Sequence, residues 1–236
     1  MGKGLISCCC LLLLSSLAYA GKCIDDFENG NADGWNEASG DWEVQNGAYV
    51  QLGAGKNVMG IPHTIIESPW EFSDGTIEVT IIFSEESDGT EVPAILYRMI
   101  DEDNGYAFRL RKEAGANNEA DRFIMEVGKF LDGQFDYIRG DAFPVDIGKP
   151  CKIKLEVEGM FTKAYYDGII RIRVGDLTET FDKGKIGLAV FDANEPVYFD
   201  DVIINGEGIF PFLPLSEKVD PGGKLASVWG QIKANS

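Results

Sequence analysis

The 236-residue chain has a single histidine, His63, which excludes histidine-rich metal sites and argues against a hydrolytic Ser–His–Asp triad. Basic residues are scarce as well: 21 Lys and Arg face 39 Asp and Glu, a formal charge of −18. A nucleic-acid binder, or a protein that docks on anionic membranes, needs clustered cations to neutralise phosphate, so both classes are excluded. No apolar run is long enough to span ~30 Å of hydrocarbon comfortably. Prolines number 9 against 28 glycines, with no collagen-type period, and 44% apolar residues are too many for a disordered acidic tail. What remains is an acidic globular chain, of a length that an all-β sandwich commonly fills as one domain.

The first twenty residues read as an address. Lys3 precedes an apolar run from Leu5 to Leu17, and Ala18-Tyr19-Ala20 fits the small-x-small rule for signal-peptidase cleavage. This predicts a signal peptide over 1–20 and a secreted or periplasmic mature chain; a retained anchor is the alternative, for which the run is short. A lipoprotein would need a small residue before its acceptor cysteine, and Lys22 precedes Cys23. Cleavage removes Lys3 and no acid, leaving 39 acids against 20 bases, and it leaves Cys23 and Cys151 of the five cysteines. In an oxidising compartment a Cys23–Cys151 disulfide is expected, worth ~4–5 kcal/mol on the chain-entropy model; two buried free thiols are the alternative.

Nearly every mature segment alternates with period two. Thr76-Ile77-Glu78-Val79-Thr80-Ile81, Lys152-Ile153-Lys154-Leu155-Glu156-Val157-Glu158 and Ile170-Arg171-Ile172-Arg173-Val174 read as strands with one face on a core. Ile77, Val79, Ile81, Ile153, Leu155 and Val157 form the predicted core faces. Asn46-Gly47, Asn104-Gly105 and Asp167-Gly168 supply hairpin turns between such runs. Ten or more short strands with regular turn signals predict an all-β, antiparallel two-sheet sandwich or barrel. Composition changes after Asn205. A proline-bearing apolar linker leads to Leu225, Val228, Trp229 and Ile232 at helical spacing within Lys224 to Lys233, which predicts a short C-terminal amphipathic helix in a 206–236 tail. Such a helix packs on its own domain or docks a protein partner.

The opening Asp26-Phe27-Glu28-Asn29-Gly30, Asp33-Gly34-Trp35 and Gly40-Asp41-Trp42-Glu43-Val44 join the closing Gly184-Lys185-Ile186-Gly187-Leu188-Ala189 and Tyr198-Phe199-Asp200-Asp201-Val202. Between them stand Ala94-Ile95-Leu96-Tyr97-Arg98 and Asn104, Gly105, Tyr106, Phe108. This order resembles the concanavalin A-like (laminin-G-like) jelly-roll superfamily, including bacterial carbohydrate-binding modules and 3-keto-disaccharide-hydrolase-type domains. The likeness covers roughly residues 25–205 and sets the domain at 21–205. It implies two curved antiparallel sheets and sugar binding. It also implies a structural calcium where the opening and closing segments meet, on Glu28 and Asp201, with Asp200 the weaker match. The run from Asn29 also opens like an EF-hand loop, but Gly40 stands where the bidentate Glu belongs, so it reads as a turn.

Sugar recognition needs aromatic faces ringed by planar hydrogen-bonders. Tyr97, Arg98, Asp101, Asn104, Tyr106 and Arg109 gather around one predicted hairpin, with Arg111 on its polar face, and Trp70 follows Pro69 at a strand mouth. The competing reading pairs Arg98 and Arg109 with surplus carboxylates and packs the tyrosines; Trp35 and Trp42 fall at core positions. Glu86-Ser87-Asp88-Gly89-Thr90-Glu91 has the Glu-x-Asp-x-x-Glu spacing of laminarinase-type hydrolases, but Ser, Gly and Thr in the gaps predict a loop. The expectation is a secreted carbohydrate-binding module without its own catalysis. A glycoside-acting hydrolase is the first alternative and a structural or adhesive extracellular module the second.

Overall fold

The computed structural model describes residues 20–53, 63–113 and 122–210. All but Ala20 of the predicted signal peptide at 1–20, and the predicted helix at 224–233, lie outside the described residues. One sheet contains β1 (Ala20–Asp25), β3 (Asp41–Gln45), β4 (Ala48–Gly53), β6 (Gly75–Phe83), β11 (Cys151–Glu158), β12 (Phe161–Tyr166), β13 (Ile169–Gly175) and β15 (Val197–Glu207). Its order is β13-β12-β11-β6-β15-β4-β3, and β1 pairs with the second half of β15. The second sheet contains β2 (Asn36–Ser39), β5 (His63–Glu67), β7 (Val92–Asp101), β8 (Asn104–Lys112), β9 (Arg122–Leu131), β10 (Gln134–Pro144) and β14 (Lys185–Phe191), in the order β10-β9-β8-β7-β14-β5-β2. Neighbouring strands run antiparallel, as the alternation predicts. Among the described residues no helix is long and apolar enough to cross a membrane.

The apolar faces of the two sheets meet in one core. All six predicted core residues are buried, and Leu155 is fully so, lying opposite Ile77 on one side and Ala164 on the other. Leu155→Ala should therefore cost ~2–5 kcal/mol through lost burial and an uncollapsed cavity. An unchanged denaturant midpoint would contradict the strand phase. Trp35 and Trp42 are in the same core, as predicted.

Two of the expected turns form as two-residue hairpins. Asn46 (φ 52°) and Gly47 (φ 76°) join β3 to β4, and Asp167 (φ 47°) and Gly168 (φ 78°) join β12 to β13. Both residues sit at positive φ, the condition for a type I′ turn that matches strand twist. Asn104-Gly105 is different: the turn falls on Glu102-Asp103, and Asn104 and Gly105 begin β8. The Asp101 carboxylate accepts from the Asp103 amide and from Asn104 Nδ2, both at 2.9 Å, which fixes the tighter turn. Gly105 answers to packing, since a Cβ there would lie 2.9 Å from Met99 Cα.

The expected Cys23–Cys151 disulfide does not form: both thiols are buried and neither is bridged to the other. Cys23 on β1 faces Ile204 of β15, which faces Ile77 of β6, whereas Cys151 on β11 faces Ile81 of β6. The two thiols are therefore three strand spacings apart, about 14 Å laterally at ~4.8 Å each, and offset along the strands as well. A disulfide needs Cα atoms within ~7 Å. Burial pushes the Cys151 thiol up to about 11, which keeps it protonated.

Candidate functional site on the outer face of the second sheet

Alternation gives the second sheet two different faces. Tyr106, Phe108 and Leu110 of β8, Phe123, Met125 and Val127 of β9, and Ile186, Leu188 and Val190 of β14 point into the core between the sheets. The opposite, outer face carries a separate apolar patch of Ala94, Leu96, Met99, Ala107 and Ala189. These mostly small side chains keep the floor low. Phe130, Phe135 and Phe191, each half-buried, pack against it as taller walls.

Register places the polar groups. Ala189, Ala94, Arg109 and Glu126 are direct neighbours across β14, β7, β8 and β9. Arg109 thus lies opposite a carboxylate and its Nη2 donates to Glu126 Oε2 at 2.6 Å. Arg111, two residues along the same face, donates to Glu126 Oε1 from Nε at 3.1 Å and Nη2 at 2.9 Å. The Arg109 guanidinium also lies 3.4 Å from the centroid of the Phe135 ring. Phe135 can lie that low because residue 128 is glycine: a Cβ there would come 2.5 Å from Phe135 Cζ. Phe130 completes the aromatic corner, 5.2 Å from Phe135 and 5.4 Å from Phe191 between ring centroids. Burial pulls the Arg109 pKa down and the Glu126 carboxylate opposes that, so the guanidinium stays charged.

Arg109, Arg111, Phe130, Phe135 and Phe191, with Val92, Glu102, Asp103, Gly133 and Asp192, line a cavity of about 130 Å³. Two polar atoms of its lining residues, the donor Arg109 Nε and the acceptor Asp103 Oδ1, are closed off from solvent without a hydrogen-bond partner. Such groups are costly to leave unmatched. The cavity suits a ring with one apolar face, to stack on the phenylalanines, and several hydroxyls for its charged rim.

The predicted ligand residues separate on this frame. Arg109 is in the pocket, and Asp101 and Asn104 build the β7–β8 turn at its rim. Tyr97 and Tyr106 are in the core between the sheets, stacked at 5.4 Å, with their hydroxyls bound to Thr162 and Asp176. Arg98 is 4% exposed. It sits at φ 51°, and its guanidinium goes to Ser73 O, Phe181 O and Asp74, so these three are corrected to structural positions. Trp70 lines another groove with Pro69, Lys183 and Phe210. That groove adjoins the start of β14 whereas Phe191 ends it, a separation of about 20 Å at ~3.4 Å per residue. The residues that sequence reasoning missed are Asp103, Glu126, Phe130, Phe135 and Phe191. Their signal was phase: on β9 the core takes odd numbers, so Phe130 must face outward.

The Glu86–Glu91 segment is a loop, as predicted. Glu86 and Asp88 are exposed, while Glu91 is buried and accepts from Ser87 Oγ and, at 3.1 Å, from the Glu195 amide. Its acids do not share a cleft. Glu28, exposed, lies against Gly47, and Asp201 bonds Thr80 Oγ1 at 3.4 Å and passes its amide to Asp200 Oδ1 at 2.6 Å. Burial pushes Asp200 up; the Asp201 amide opposes this, and the charges of Asp201, Glu28 and Asp26 add to it. Among the described residues no three such side chains gather in metal-holding geometry.

No protein-family model matches the chain. The levanase of Bacillus subtilis is 29% identical over 153 residues, which are 64% of this chain and 21% of the levanase, so the match spans about a fifth of that relative's length. Among solved structures, the carbohydrate-binding module CBM66 from Bacillus subtilis superposes with a TM-score of 0.60 at 25% identity, over 74% of this chain and 97% of the module. A Bacillus licheniformis β-glucanase gives a TM-score of 0.53 at 12% identity, over 80% of this chain and 99% of the enzyme, a likeness of fold alone. The chain is an all-β, two-sheet jelly-roll sandwich related to the folds of bacterial carbohydrate-binding modules and glycosidases.

Proposed function

We propose that the chain is a secreted carbohydrate-binding module without catalysis of its own, and that it takes sugar in the pocket of Arg109, Phe130, Phe135 and Phe191. The observation that carries this is one cavity in which three phenylalanine side chains stand beside the guanidiniums of Arg109 and Arg111 and the carboxylates of Asp103 and Asp192. Similarity to CBM66 over nearly the whole of that module supports the same reading, as does the match to a segment of a levanase. A glycan array carrying levan and other neutral and acidic polymers, scored for both retention and release, tests it. Retention without release is expected. Release of sugars would favour the hydrolase alternative, and no retention would contradict sugar binding.

A calcium ion on Glu28 and Asp201 is a separate proposal, supported by the closeness of Glu28, Asp26 and Asp201 to Asp200, whose carboxyl is pushed up first by burial and then by their charges. Calcium at a hundredfold excess over Kd should then stabilise the protein by about 2.7 kcal/mol. The increment should vanish in Asp201→Asn. A melting curve unmoved by chelator would remove the ion from the account.

A further inference from the structure

We propose that Glu126 sets the charge selectivity of the pocket: by occupying the guanidiniums of Arg109 and Arg111, it makes the site accept neutral sugars and refuse those bearing carboxylates. The proposal rests on the carbohydrate reading above. Two arginines side by side in a cavity would ordinarily capture a carboxylate or sulfate through paired N–H donors. Here four of those donors are already engaged, three by Glu126 and Arg111 Nη1 by the Lys112 carbonyl at 3.2 Å. Arg109 Nη2 goes to one oxygen of Glu126, and Arg111 Nε and Nη2 go to the other. The Glu126 side chain is 6% exposed, so it lies beneath the arginines and serves them, not the ligand.

Beside the arginines the cavity is lined by acids, Glu102, Asp103 and Asp192. A hydroxyl both donates and accepts, so it can meet a guanidinium N–H and a carboxylate oxygen alike. A carboxylate can only accept, and it would approach the charges of Asp103 and Asp192 on the same wall. The cavity is therefore matched to an uncharged polyol ring, although it contains two cations.

Affinity electrophoresis of the mature chain tests this, with levan, laminarin and β-glucan as neutral polymers and polygalacturonate and alginate as acidic ones. The wild type should be retarded by a neutral polymer and not by an acidic one. Glu126→Gln keeps the side-chain shape but releases guanidinium donors, and should shift the acidic-to-neutral retention ratio by about tenfold or more, a gain that salt suppresses. Glu126→Asp should keep the neutral preference, and Glu126→Gln with Arg111→Gln should lose the gain. An unchanged ratio in folded Glu126→Gln overturns the proposal, as does wild-type retardation by an acidic polymer at low salt, which decides the matter even where Glu126→Gln fails to fold. Retardation of the wild type by no polymer removes the carbohydrate reading and this proposal together, whereas neutral retention with an unchanged ratio removes the selectivity alone.

Discussion

Lys129→Met is expected to cost ~3–5 kcal/mol of stability, the usual penalty for breaking a buried ion pair from one side. Lys129 lies on β9 with its side chain 7% exposed, and its ammonium is 2.9 Å from each of Asp176 Oδ2, Thr178 Oγ1 and Thr180 Oγ1. Tyr106 donates to the same Asp176 oxygen at 2.8 Å, and burial followed by that carboxylate pushes Tyr106 up to about 12. The cluster pins the 176–180 segment against the inner edge of the second sheet. Without the lysine, Asp176 keeps its burial and loses its counter-charge. Burial by itself would raise Asp176, but the bonds from Thr178, Lys129 and Tyr106 outweigh it and hold the carboxyl well below the usual range.

The sign of the pH dependence follows. A depressed acid contributes stability that is fully present above its unfolded pKa of ~3.9 and is lost as pH falls towards its lower folded value. Wild-type stability should therefore decline on acidification below about pH 4, and Lys129→Met should show a shallower decline from a lower starting point. Denaturant titrations at neutral and acid pH measure both. A neutral-pH change below about 1 kcal/mol would mean that the pair is far more solvated than its geometry indicates.

Phe135→Ala is expected to weaken glycan binding by about tenfold to a hundredfold, the range of a central aromatic anchor. The ring supplies a stacking face and also the platform on which the Arg109 guanidinium rests. Because Phe135 is half-buried on the outer face and not in the core between the sheets, the melting temperature should fall by less than in Leu155→Ala. Calorimetric titration of a retained glycan, paired with a melting curve, separates the two effects. Equal affinity in the variant would show that sugar, where bound, sits elsewhere.

The strands were legible because period-two alternation is a local property. β6, β11 and β13 each announce a core face within a few residues, and Asn46-Gly47 and Asp167-Gly168 carry the positive-φ chemistry of their turns. What was not legible depends on which strands become neighbours. Cys23 and Cys151 both occur on buried faces, and only the order β1-β15-β6-β11 reveals how far apart they are. The site failed for a related reason. Tyr97, Arg98 and Tyr106 stand near Arg109 in sequence, but Tyr106 shares the inward phase of Phe108 and Leu110 while Arg109 and Arg111 take the outward one. Arg98 lies where the β7–β8 register shifts, and it leaves the alternation to hold backbone carbonyls of Ser73 and Phe181. Phe130, Phe135 and Phe191 resemble core residues by type. Their outward placement emerges from counting phase against Met125, Val127 and Val190.

The central claim is that sugar binds on the outer face of the second sheet, among the three phenylalanines. Backbone and aromatic NMR shifts of the mature chain, followed during titration with an oligosaccharide of whichever polymer the array retains, test it most directly. The account predicts perturbations concentrated at Asp103, Arg109, Arg111, Phe130, Phe135 and Phe191, with the tyrosine pair Tyr97 and Tyr106 unmoved. Perturbations centred on Trp70 and Phe210, about 20 Å away at the other end of β14, would contradict it.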